Sequence, residues 1–209
     1  MSQSKKIVLL IAVCLVSLLP ASTQQKPDAL KLYRAKRYQE AITVCEQELA
    51  ANPNNIDSYS VLCWALVATK QYTKAEEKAI AARKINSSDI RLLEILGEAQ
   101  YFLGKNNEAL NMFQRYIATA PESAIDRAFV YYYMGEIYIR QSKFQHADIA
   151  LSTSVYIEKN RDYWWTRLGY AREKCSSYKS ALEAYNRALA LNPSQADATQ
   201  GKARCQAQL

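Results

Sequence analysis

An all-α solenoid of five helix pairs with a closing helix is predicted by three observations. Alanine recurs at Ala41, Ala75, Ala109, Ala147 and Ala181, at intervals of 34, 34, 38 and 34 residues. A period of that length marks one supersecondary unit, which buries its apolar face only by stacking on the next copy. The stretch Asp162 to Pro193 shows the unit in full, with Trp165, Leu168 and Gly169 on one apolar stripe, Ala181, Tyr185 and Ala188 on a second, and the polar corner Cys175-Ser176-Ser177 between them. Finally, 5 Gly, 5 Pro and 49% apolar residues in a chain of 209 fit a folded helical protein.

The small residues of this unit set its helix spacing. Gly169, Ala181 and Ala188 let two helices approach closely, while Trp165, Leu168 and Tyr185 fill the volume around that contact. A glycine inside a helix costs about 1 kcal/mol against alanine, so Gly169 implies a packing requirement. The combination of aromatic, Leu-Gly, Ala, aromatic, Ala and Pro at these offsets resembles the tetratricopeptide repeat family, whose unit is 34 residues long. The resemblance implies a right-handed superhelix with a concave wall made by the first helix of each pair, and a role in binding rather than catalysis.

The units follow in order. Residues 26–54 form a degenerate first repeat with a short first helix around Pro27 to Ala35 and a full second helix from Tyr38 to Ala50. Ala29 stands in the glycine position, as suits a terminal repeat. Residues 56–87 carry Tyr59, Leu62, Cys63 and Ala82 in register, with Asn86 as a helix stop and Ser88 or Asp89 as the next cap. Residues 90–121 carry Leu93, Leu96, Gly97, Phe113 and Pro121, with Tyr116 at a normally small position, where it is expected to push the neighbouring helix outwards. The four extra residues follow in Glu122 to Arg127 and equal about one helical turn, so the next helix is expected to start early, near Ser123. Residues 124–159 and 162–193 complete the array. Residues 195–208 read as a polar helix with Ala196, Ala198 and Ala203 that covers the last apolar face.

The N-terminus reads differently. Lys5 and Lys6 precede an apolar run from Ile7 to Leu19, followed by the small residues Ala21-Ser22-Thr23. This is the layout of a secretory signal peptide spanning residues 1–23, leaving residues 24–209 as the folded domain, exported to a periplasm. Secretion, an uncleaved anchor and lipidation at Cys14 are the alternatives, and after cleavage no membrane span is expected. Cleavage lowers the formal charge from +7 to +5, since Lys5 and Lys6 are the only charged residues removed. The remaining basic residues are scattered, densest at Lys31, Arg34, Lys36 and Arg37, which disfavours nucleic-acid binding. Cys45, Cys63, Cys175 and Cys205 permit disulfides, with Cys45–Cys63 and Cys175–Cys205 the plausible pairs, but small buried thiols are the favoured reading.

Nothing in the sequence proposes catalysis: there is one histidine, His146, and no phosphate loop, nucleophile elbow or metal-ligand spacing, so no metal or cofactor is expected. The family resemblance instead implies a partner-binding groove. Carrying the concave positions of its first helices onto this chain gives Trp64, Glu94, Glu98, Tyr101, Phe129, Tyr132, Glu136, Tyr163, Thr166, Tyr170 and Glu173, an aromatic groove with an acidic stripe. Trp64, Tyr101, Tyr132 and Tyr170 are expected to face the groove, and Tyr131 and Trp165 the core. Leu30, Trp64, Glu98 and Glu136 stand where a carboxylate-gripping repeat needs Lys and Asn, so a terminal carboxylate is disfavoured as ligand. The expected partner is a protein or peptide segment, bound during envelope complex assembly. A glycan or solute in a closed pocket lined by Tyr101, Tyr132 and Tyr170 is the alternative, and oligomerisation is left open.

Overall fold

The computed structural model describes residues 28–209, so the reading of residues 1–23 as a signal peptide and Cys14 as a lipidation site lies outside the described residues. Eleven helices and no strand are found among the described residues. The first four pairs are α1 (Ala29–Arg34) with α2 (Tyr38–Ala51), α3 (Ile56–Ala68) with α4 (Tyr72–Ile85), α5 (Ile90–Phe102) with α6 (Asn106–Thr119), and α7 (Arg127–Arg140) with α8 (Phe144–Ile157). The fifth is α9 (Asp162–Lys174) with α10 (Tyr178–Leu191), and α11 (Ala196–Gln206) closes the array. Each first helix packs on its own second helix and on the first helix of the next pair, which produces a right-handed superhelical solenoid.

The five period-marking alanines are all fully buried, each at the start of a second helix where the chain turns back on its partner. The corner before each has its own signature. Lys36, Lys70, Gly104, Ser142 and Ser176 have φ of 60°, 60°, 76°, 57° and 59°, repeating the spacing of the alanines. This left-handed residue ends each first helix, and only Gly104 adopts it without steric cost.

Further in, the second to fifth pairs each close through one size-matched contact. A Cβ added at Gly97 would lie 2.5 Å from the Phe113 ring, one at Gly135 would lie 2.5 Å from Leu151, and one at Gly169 would lie 2.7 Å from the Tyr185 ring. In the second pair the corresponding residues, Cys63 and Ala79, share one core cluster, so a larger residue on the first helix faces a smaller one on the second. Total volume at the crossing is thereby kept near constant while the sequence varies.

Two expectations are corrected. The four-residue insertion does not lengthen α7. Ala124 N donates to Pro121 O at 3.0 Å and Arg127 N to Ala124 O at 3.2 Å, closing two turns, and α7 begins at Arg127. The Arg127 guanidinium donates to the Ala120 carbonyl at 3.0 Å and the Ile117 carbonyl at 3.4 Å, satisfying acceptors at the end of α6 and fixing the turn against it. Tyr131, expected in the core, is half-buried and joins no core cluster among the described residues, whereas Trp165 packs against the cores of the fourth and fifth pairs and its indole N–H donates to the Lys159 carbonyl at 2.9 Å.

All four cysteines within the described residues are free thiols. Cys45 and Cys63 are fully buried, and burial pushes each thiol up to about 12, which suppresses the reactive thiolate. Among the described residues no helix is long and apolar enough to cross a membrane. No group of three or more His, Cys, Asp or Glu within them is placed to hold a metal ion.

Candidate functional site

The first helices line the concave wall, and their side chains divide it into two halves of different character. In the half nearer the N-terminus, α1, α3, α5 and α7 enclose a trough of about 1250 Å³. Its walls are aromatic: Tyr33 from α1, Trp64 from α3, and Phe129 and Tyr133 from α7. Tyr33 and Trp64 lie 5.9 Å apart between ring centres and form one side, while Phe129 is held edge-on against Trp164 at 5.1 Å. Glu94 and Glu98 from α5 line the trough, one helical turn apart on the same face.

The insertion completes this half. Its turn carries Ile125 and Asp126 to the trough, where Ile125 is 87% exposed. An early helical start near Ser123 would have placed these two residues differently, so the irregular period builds part of the site.

The electrostatics of the trough contrast with the chain as a whole. The protein carries a formal +7, yet among the described residues the trough is lined by Asp28, Glu48, Asp57, Glu94, Glu98 and Asp126 and by the two arginines Arg34 and Arg91. Arg91 is already committed, its guanidinium lying 2.8 Å from Asp57 and 2.7 Å from Asp89, and Glu48 accepts from the Ser58 hydroxyl at 2.6 Å. Glu94 is 8% exposed, and no basic side chain among the described residues pairs with Glu94, Glu98 or Asp126.

Burial pushes the Glu94 carboxyl well above the usual carboxylate range, and the nearby charges of Glu98 and Asp126 push the same way, partly offset by the Trp64 indole. Glu98 is raised by burial and by Asp126, against the opposing hydrogen bond donated by the Tyr133 hydroxyl at 2.7 Å. Asp126 is raised by burial. Their charged forms oppose folding. That penalty is fully present above the raised values and fades as pH falls from them towards the unfolded carboxylate values of about 4.

The other half of the wall is closed by its own residues. Glu136 is buried and paired with Arg167 at 2.6 Å, and Tyr132 stacks on Trp164 at 4.9 Å. Glu173 accepts from Arg204 of the closing helix at 2.7 and 2.9 Å and from the Tyr185 hydroxyl at 2.7 Å. Thr166 is buried, its hydroxyl donated to the Asp162 carbonyl at 3.1 Å. Tyr170 is half-buried between Arg167 and Lys174, while Tyr163 is 42% exposed.

Tyr101 departs from the expected groove exposure. It is 7% exposed, packed on Tyr133 at 4.7 Å and on Phe102, with the Arg140 guanidinium 4.0 Å over its ring. The cation from the next first helix covers the ring that would otherwise face the groove. Tyr101, Tyr132 and Tyr170 therefore do not line the trough; of the expected groove residues, Trp64, Glu94, Glu98 and Phe129 do. Tyr33, Tyr133, Ile125 and Asp126 join them without having been singled out. The run Tyr131-Tyr132-Tyr133 was the available signal for Tyr133, since consecutive helical residues point 100° apart and at least one had to face inwards.

Comparison with known proteins follows the same architecture. A family profile described as anaphase-promoting complex, cyclosome, subunit 3 matches residues 34–116, and one described as tetratricopeptide repeat matches residues 166–209. No curated protein matches the sequence. Among solved structures, MamA from Desulfovibrio magneticus RS-1 aligns with a TM-score of 0.69 at 18% identity, over 80% of this chain and 93% of that one. YrrB, described as a TPR protein with an unusual peptide-binding site, aligns at 0.70 and 16% identity over 78% and 82% of the two chains. PilF from Pseudomonas aeruginosa aligns at 0.73 and 16% identity over 85% and 79%. At these identities the likeness is one of fold.

Proposed function

Because the chain belongs to the tetratricopeptide repeat family, we propose that it is a non-catalytic scaffold that binds a segment of another protein in the N-terminal half of its concave face. The observation that carries this reading is the trough itself, about 1250 Å³ and not enclosed, lined by four successive first helices and the inserted turn. Small-molecule sites usually occupy roughly 300–1,000 Å³ and bury most of their ligand, so an open trough of this size suits an extended or helical segment better than a glycan or solute. The peptide-binding site named for YrrB supports a segment as ligand in this fold. The basic and apolar N-terminal run ending in Ala21-Ser22-Thr23 supports action outside the cytoplasm, in assembly of an envelope complex.

Aromatic anchors at the centre of such an interface supply most of its affinity. Peptides selected from a displayed random library on the protein are expected to lose at least tenfold in affinity against an Ile125→Ala, Phe129→Ala variant. Ile125 is exposed and Phe129 half-buried, so the variant keeps its fold, checked by an unchanged helical circular dichroism spectrum. Selected peptides that bind the variant as tightly as the parent would remove the trough as the binding surface.

A further inference from the structure

We propose that the trough is a receptor for a basic side chain, holding the ammonium group of a lysine from the partner segment at Glu94, Glu98 and Asp126, beside the rings of Trp64 and Tyr33. The inference rests on the binding role proposed above and names the chemistry of what enters the site.

Charge complementarity commits the occupant. Among the described residues, Glu94, Glu98 and Asp126 line the trough with no basic side chain paired to them, within a protein of net positive charge. The other inward-facing glutamates of the first helices have an internal cation: Glu136 has Arg167 and Glu173 has Arg204. Glu76, on a second helix, has Lys105 at 2.6 Å. Asp162, which also lacks a cation, is held by the side-chain amides of Asn192 and Gln195, whereas Glu94, Glu98 and Asp126 line the trough with no basic partner among the described residues. A buried carboxylate without a cation is costly, and an incoming ammonium group supplies what the fold supplies elsewhere.

The surrounding surface fits the rest of the ligand. An ammonium has three donors that rotate freely on a flexible stem, which suits carboxylates presented from two separate elements, α5 and the inserted turn. The aromatic faces of Tyr33 and Trp64 add cation–π attraction and cover the apolar stem, with Ile125 and Phe129 at the same trough for the residues beside the lysine. The titratable and aromatic groups facing the trough are Asp28, Tyr33 and the exposed Arg34 at α1, Glu48 from α2, Trp64 and Asp57 from α3, Glu94, Glu98 and Arg91 from α5, Asp126 from the turn and Tyr133 from α7. The raised carboxyls of Glu94, Glu98 and Asp126 release protons when a cation settles beside them, so binding strengthens as pH rises through their folded values.

The test uses the full chain and three pentapeptides: pentalysine, its Nε-acetylated counterpart and pentaglutamate. Binding is read from the indole N–H resonance of Trp64. Pentalysine is expected to shift that resonance and to bind at least tenfold more tightly than either control, with the preference increasing from pH 5 to pH 8. Glu94→Gln with Glu98→Gln is expected to abolish the preference, whereas Glu183→Gln, on an exposed position of α10, leaves it unchanged. Equal binding of the acetylated peptide would overturn the cation receptor while leaving a peptide trough in place. No shift by any of the three, from a protein that still binds library-selected peptides, would overturn it as well. Loss of both would remove the trough altogether.

Discussion

Replacing Tyr185 with alanine is expected to cost about 3–5 kcal/mol, the range for deleting a large buried aromatic side chain. Tyr185 is 1% exposed and lies between two glycines, Gly169 on α9 and Gly201 on α11. A Cβ at either glycine would overlap its ring. The ring therefore fills the contact of the fifth pair and seats the closing helix at once, and its hydroxyl reaches Glu173, which also holds Arg204 of α11. Truncation removes packing that no neighbour can replace, because both glycine backbones are already at closest approach. In a solenoid the loss is local, so amide exchange should accelerate throughout α11 and the C-terminal part of α10 while α3 keeps its protection. Tyr185→Phe keeps the ring and is expected to cost less, about 1.5–3 kcal/mol, the worth of a hydrogen bond to a charged carboxylate. Uniform loss of protection along the whole array would contradict this local role.

Arg167→Met should cost a similar amount for a different reason. The Arg167 Nε donates to Glu136 Oε1 at 2.6 Å, with side-chain exposures of 23% and 10%. Removing one member of a buried pair strands the other, which typically costs about 3–5 kcal/mol, while replacing both with apolar residues of similar size is often close to neutral. Arg167→Met with Glu136→Leu is therefore expected to recover most of the stability lost by Arg167→Met alone, measured by denaturant unfolding followed on α7 and α9. A double variant as unstable as the single one would show that the cost lies in packing rather than in the stranded charge.

These two residues also show what the sequence could and could not reveal. Gly169, Tyr185 and the alanine ladder were legible because helix contacts recur at a fixed period, so a small residue on one stripe and a large one on the next identify the crossing between them. The concave positions came from the family resemblance, carried onto each first helix in register, and of them Trp64, Glu94, Glu98 and Phe129 line the trough. Their environments were not. Glu136 lies at the same register position as Glu98, but Arg167, 31 residues further on, neutralises it, whereas Glu98 accepts from the neutral Tyr133 hydroxyl. Tyr101 occupies a groove position but is capped by Arg140. Such pairings depend on side chains from different repeats, which periodicity brings near each other without fixing which of them touch. The four-residue insertion was visible as a break in the period, but its length suited either an added helical turn or a loop. The Arg127 contacts to the Ile117 and Ala120 carbonyls, which fix the turn, appear only in three dimensions.

The most direct measurement is site-specific photocrosslinking in the native cell. A benzoylphenylalanine is placed either at position 34, where exposed Arg34 lines the trough, or at position 156, where Tyr156 is 76% exposed away from it. Position 34 is expected to give a discrete covalent adduct that disappears in the Ile125→Ala, Phe129→Ala background, while position 156 gives none. Adducts at position 156 with none at position 34 would contradict the trough as the surface through which this protein works.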